Sequence, residues 1–168
     1  MAYTKELLFL PSSSECTHLT RESKIFELLL KRRIPYTVCD CTDQIGSQKN
    51  IKACLSQREE PIIAVSSAET VVHLLRFLTI PDPRIAGAVL ISPHFPDSLR
   101  TKLSRIEVPV LIINGADDTF AAKMEGMKLH DLIENSSYRT IKGCGRSPYV
   151  EQPLRFLIYL DKFLSDEF

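Results

Sequence analysis

At 168 residues, and about 150 residues per domain, the chain is expected to form a single domain over 1–168; its 44% apolar and 25% charged content is that of an ordinary globular protein. Twenty-one Lys and Arg offset twenty-one Asp and Glu, and no basic run exceeds Lys31-Arg32-Arg33, which argues against a nucleic-acid partner. No apolar stretch approaches the ~20 residues of a membrane span and the N-terminus has no charged-then-apolar leader, so we expect no membrane and a cytoplasmic chain, with the nucleus open to it as well. The cysteines at 16, 39, 41, 54 and 144 are odd in number and irregular in spacing. That pattern reads as reduced, buried thiols rather than a disulfide framework or a zinc site.

Short apolar runs alternate with longer amphipathic segments. Residues 6–10 read as a strand, and the helix expected over 21–33 carries Ile25, Phe26, Leu28, Leu29 and Leu30 and ends on three cations, favourable at a helix C-terminus. Pro35 forbids further helix, and a strand is expected over 36–41. A helix over 49–58, a strand over 61–65 and a helix over 68–78 follow, the last stopped by Pro81 and Pro83. The second half continues with strands at 86–92 and 109–114, a helix over 120–135, a weaker strand at 138–142 and a helix over 152–163. This order predicts an α/β fold, a doubly wound, mainly parallel six-stranded sheet with helices on both faces. Right-handed crossovers then gather the loops at 11–16, 40–46, 66–69, 93–95, 116–119 and 143–149 at the C-terminal ends of the strands, where ligands bind.

Three of those loops, in chain order, resemble the catalytic stations of an α/β-hydrolase. Pro61-Ile-Ile-Ala-Val-Ser-Ser-Ala-Glu-Thr70 resembles the nucleophile elbow, with Ser67 where the nucleophile would sit beside Ser66 and Ala68. Val108-Pro-Val-Leu-Ile-Ile-Asn-Gly115-Ala-Asp-Asp118 resembles the strand and turn that deliver the acid, which places Asp118 in that role. Lys142-Gly-Cys-Gly-Arg146-Ser-Pro-Tyr-Val-Glu151-Gln-Pro153, followed by an amphipathic helix, resembles the stretch that carries the histidine. The order of serine, acid and histidine slot is the family's own. The resemblance covers residues 61–165 well and is only topological before them. It implies a compact, lid-less hydrolase-like domain whose opening strands are missing.

Its departures bear on chemistry. The histidine slot holds Arg146, and a guanidinium stays protonated and only donates, so it cannot take a proton from serine. Pro11, in the Leu-Pro-Ser12 segment that resembles the oxyanion loop, has no amide hydrogen to offer. Val65 and Glu69 stand where the elbow has glycines, and a glutamate at that crossing should push strand and helix apart. Each station also has a plainer reading. Ser66 and Glu69 fit a capping box, and Asp118 fits a cap for the helix near Phe120. Arg146 fits a salt bridge to Asp118 or a solvated loop arginine. Cys144 fits a thiol activated by Arg146 or a small buried side chain. His94, after the strand at 86–92, is on the ligand face and is a candidate substitute base. His18 and His130 each precede a glutamate by one turn without a third ligand, so neither metal nor cofactor is expected.

These readings point to a catalytically disabled hydrolase-like module that binds a protein partner or a small apolar ligand, with Ser67 and Asp118 as relics. The pocket would be lined by Pro11, Ser12, Ser66, Ala68, His94 and Cys144. An exposed sheet edge leaves a homo-oligomer open. The competing reading is an active serine esterase that uses Ser67 with an unorthodox base.

Overall fold

Runs of Ile, Val and Leu unbroken by polar residues are stable as strands only where both faces of a sheet are covered. In the computed structural model, which describes residues 5–11, 23–39 and 48–168, the strands are β1 (Leu7–Leu10), β2 (Tyr36–Val38), β3 (Ile62–Ser67), β4 (Ile85–Ile91), β5 (Val110–Gly115) and β6 (Ser136–Ile141). Of these, β1, β3, β4 and β5 are the buried, mainly apolar runs, while β2 and β6 carry polar residues and are mostly half-buried. All neighbouring pairs are parallel, in the order β2-β1-β3-β4-β5-β6. The helices are α1 (Lys24–Lys31), α2 (Gln48–Ser56), α3 (Thr70–Leu78), α4 (Phe120–Leu132), α5 (Pro148–Glu151) and α6 (Pro153–Glu167). A 3-10 helix over Asp97–Arg105, which the periodicity does not announce, fills the connection between β4 and β5.

Because successive strand residues point to opposite faces, the sheet divides the core in two. Leu8, Ala64, Leu90 and Ile112 meet Ile51 of α2, Leu74 of α3, Leu103 of the 3-10 helix and Leu129 of α4. Phe9, Val65, Val89 and Ile113 meet Phe26 of α1, Tyr149 of α5 and Phe156 of α6 on the other side. The chain steps outward from β1 to β2 and then returns past β1 to β3, so the winding reverses between β1 and β3. Leu10 and Ser66 are register partners at the C-terminal end of that pair, where a doubly wound sheet forms its ligand crevice.

The expectation of reduced thiols fails for one pair: Cys39 and Cys54 form a disulfide. Cys39 follows β2 with its N–H on the Phe9 carbonyl. The crossover lays α2 back over the sheet and brings the Cys54 Cα to 6.5 Å from that of Cys39, within the usual ~4.4–6.8 Å of a disulfide. Counting and spacing cysteines carries no information about which two a crossover will bring together. Cys16 and Cys41 lie outside the described residues, as do Ser12 and His18. Among the described residues no helix is long and apolar enough to cross a membrane.

Candidate functional site

β3 continues through Ser66 and Ser67, which are 1% and 2% exposed. The capping box expected at Ser66 and Glu69 therefore does not form. Ser66 is still strand, and Glu69 stands at the N-cap position of α3 without a side-chain cap hydrogen bond. The turn between strand and helix is made by Ala68, whose φ is +48° and whose N–H donates to the Ile91 carbonyl of β4 at 3.0 Å. A left-handed conformation costs a residue with a Cβ about 1–2 kcal/mol and persists only where the surroundings impose it.

Thr70 is the main restraint on that turn. Its fully buried hydroxyl lies 2.7 Å from Ser66 Oγ and accepts from the Ser67 N–H at 3.3 Å. It also has two carbonyls to donate to, Ser67 at 2.8 Å and Leu10 at 2.9 Å. With a single proton, Thr70 donates to one carbonyl at a time while the Ser66 hydroxyl donates to Thr70. One side chain thus ties the end of β1 to the end of β3.

The acid turn and the Gly-rich loop cross behind it. Ala116 and Asp117 donate their N–H groups to the carbonyls of Ile141 and Cys144 at 2.8 and 3.0 Å. A Cβ on Gly115 would lie 2.0 Å from the Gly145 carbonyl oxygen, so the two backbones touch there. Asp118 is buried; its Oδ1 accepts from the Thr119 N–H at 2.7 Å, and its Oδ2 has no partner. The cap of α4 is Thr119, which accepts from the Ala122 N–H at 3.2 Å, and not Asp118 as the sequence reading allows. The Asp118–Arg146 salt bridge is absent: Arg146 is exposed and takes part in none of the ion pairs among the described residues. Glu151 holds this loop instead, its carboxylate accepting from the N–H groups of Gly145 at 2.9 Å and Ser147 at 3.1 Å. It pins the loop on both sides of Arg146.

Cys144 is buried and hydrogen-bonded through Sγ to the Ile141 carbonyl at 3.3 Å. Burial first, then the charges of Glu151 and Asp117, push its pKa up to about 11, so the reading of an Arg146-activated thiol is overturned. At pH 8 on the order of one Cys144 in a thousand is thiolate. Iodoacetamide should leave the Cys144 peptide unmodified in the native protein and label it fully in urea, as peptide mass mapping would show.

Pro11 is buried at the end of β1. His94 lies at the surface with Nδ1 2.5 Å from Glu125 Oε2. Two residues before His94 stands one that motif reading passes over. Ser92 follows β4 with φ +44°, its N–H on the Ile113 carbonyl at 2.8 Å and its buried Oγ without a partner. The available signal is Ser92-Pro-His94 placed directly after a buried strand.

No protein-family model matches the chain. Over 64 residues it is 35% identical to a proline iminopeptidase of Lactobacillus helveticus; the match covers 38% of this chain and 21% of that protein, so the chain spans about a fifth of that relative's length. Its fold is similar to that of a CIB-like hydrolase from Thermoplasma acidophilum, with a TM-score of 0.83 at 15% identity, covering 98% of this chain and 87% of that one. MenH from S. aureus gives 0.73 at 15% identity, covering 99% and 96%. The carboxylesterase CesB from Bacillus subtilis gives 0.72 at 15% identity, covering 95% and 83%. The chain has the α/β-hydrolase fold.

In an α/β-hydrolase the nucleophile sits on the strained strand-to-helix turn, which exposes it at the top of the sheet. The left-handed residue of that turn here is Ala68, one position later than the motif assigns it. The positions two before and two after it, where the elbow has glycines, are then Ser66 and Thr70 rather than Val65 and Glu69, and their hydroxyls meet at 2.7 Å. Glu69 does not wedge strand from helix, because the shift of one residue turns it out to solvent.

Proposed function

We propose that this chain is an α/β-hydrolase-fold protein that has lost hydrolysis and works by binding, as a single domain over 1–168 that takes a protein partner or a small apolar ligand and needs no cofactor. The observation that carries the reading is Ala68 on the strained turn after β3, because a methyl group cannot attack a carbonyl. Two features reinforce it. Arg146 cannot accept a proton, and Pro11 cannot donate to an oxyanion. The neighbours in fold and sequence are named as hydrolases, an esterase and a peptidase; the departure is argued from this chain's own residues. Among the described residues β2 and β6 are the outermost strands, and such edges can pair with a second copy. A cytoplasmic or nuclear location belongs to the same reading, and the Cys39–Cys54 bond counts against it, since those compartments keep thiols reduced.

One observation favours a second reading, an active serine hydrolase. The His94–Glu125 contact is through Nδ1, and a carboxylate there orients an imidazole so that Nε2 can take a proton. Ser67 was the hydroxyl assigned to that reading from sequence, yet it is buried, and Ser92 is the nearer one in sequence. Incubation with a fluorophosphonate and mass mapping separates the two. We expect no adduct. A stoichiometric adduct on Ser67 or Ser92, lost in Ser67→Ala or Ser92→Ala respectively, would establish the enzyme instead.

A further inference from the structure

At the opposite end of the sheet from these turns, the starts of β4 and β5 leave a hollow of about 310 Å³. Its walls are Phe77 and Leu78 at the end of α3, Pro83, Ile85 and Val108, and Ile80 forms a lip that is 70% exposed. The volume is at the lower end of the ~300–1,000 Å³ usual for ligand pockets, so it suits a small molecule with one apolar arm.

The charges on the rim narrow the choice. Asp82 is occupied, since Arg84 holds both of its oxygens at 2.9 and 2.6 Å. Arg105 and Glu107, which also line the hollow, are exposed and take part in none of the ion pairs among the described residues. Between them Ile106 is buried, with extended backbone at φ −78° and ψ 110°. Arg105 closes the 3-10 helix, Glu107 follows Ile106, and both line the same hollow. A cation and an anion therefore line one apolar hollow, neither side chain in an ion pair among the described residues.

We propose that this hollow binds a free apolar α-amino acid, its side chain against the apolar walls, its carboxylate on Arg105 and its ammonium on Glu107. A simple carboxylate would bring its charge to Glu107, and a simple amine would bring its charge to Arg105. Only a zwitterion complements both. The site lies away from the turn at Ala68, so it stands whether or not the chain hydrolyses anything.

The test is an NMR titration of the full ¹⁵N-labelled chain with L-leucine and L-phenylalanine, beside glycine, N-acetyl-leucine and leucinamide. The first two should give saturable shifts confined to residues 77–85 and 105–108. Each blocked form, like each of Arg105→Ala and Glu107→Ala, should bind about tenfold more weakly, and glycine more weakly still. Ile80→Ser, at an exposed lip that the fold does not depend on, should also weaken leucine. Equal binding of leucine and either blocked form would overturn the proposal and identify the ligand as a chain terminus or a singly charged molecule. Absence of any shift at millimolar leucine would overturn it as well.

Discussion

Ala68→Ser alone should leave the protein as inert toward a fluorophosphonate as it is now, Arg146→His alone should do the same, and only the two together should gain labelling. The reason is that nucleophile and base act as a unit. Removing either from a working serine hydrolase costs roughly 10⁶ in turnover, about as much as removing the whole triad. That is about 8 kcal/mol of barrier at ~1.4 kcal/mol per factor of ten. Restoring one member of a pair that is missing both therefore recovers almost nothing. In the double variant the imidazole acts without the acid, because Glu151 holds the loop of residue 146 and Asp118 Oδ2 stays without a partner, so labelling should be gained but stay well below that of a complete triad. Ala68 is half-buried rather than closed off like Ser67, so a hydroxyl there has access to a probe. The measurement is probe incorporation together with hydrolysis of an activated ester. Labelling of the single Ala68→Ser variant would mean that a base other than residue 146 serves the turn, with His94 the first to examine.

Gly115→Ala should destabilise the fold by about 4 kcal/mol, beyond the usual ~1–3 kcal/mol of an overpacked position. The added carbon would sit 2.0 Å from the Gly145 carbonyl oxygen and 2.3 Å from that of Cys144. Both obstacles are backbone, and neither strand of this crossing can retreat cheaply. The Ala116 and Asp117 amides hold one side and the Glu151 carboxylate holds the other. At roughly 2–4 °C per kcal/mol for a chain of this size, the melting temperature should fall by about 8–16 °C. Gly145→Ala is the control, because its nearest neighbour would be Glu151 Oε1 at 3.7 Å; it should cost less than about 1 kcal/mol. Thermal unfolding followed by circular dichroism distinguishes them. Equal melting temperatures for the two variants would mean that the acid turn and the Gly-rich loop do not cross as described.

The periodicity of the sequence by itself determined the architecture. Apolar runs such as 62–65 and 110–113 have no stable place except inside a covered sheet, and the amphipathic stretches between them have none except over its faces. Motif order alone also singled out the turn at Asp118 and the loop at Arg146 as candidate stations. Tertiary structure alone decided which residue stands at each turn. β3 ends at Ser67 because its pairing with β4 runs Ser67 opposite Ile91 and because Thr70 reaches Leu10, 60 residues away. That passes the strained turn to Ala68 and the glycine positions to Ser66 and Thr70. Likewise Cys54 meets Cys39 only through a crossover, and the loop that carries Arg146 is held by Glu151 rather than by Asp118. Local patterns record the repeat of side chains along one element, whereas a strand's last residue, a loop's direction and a thiol's partner are set by groups that are distant in sequence and adjacent only after the chain has folded.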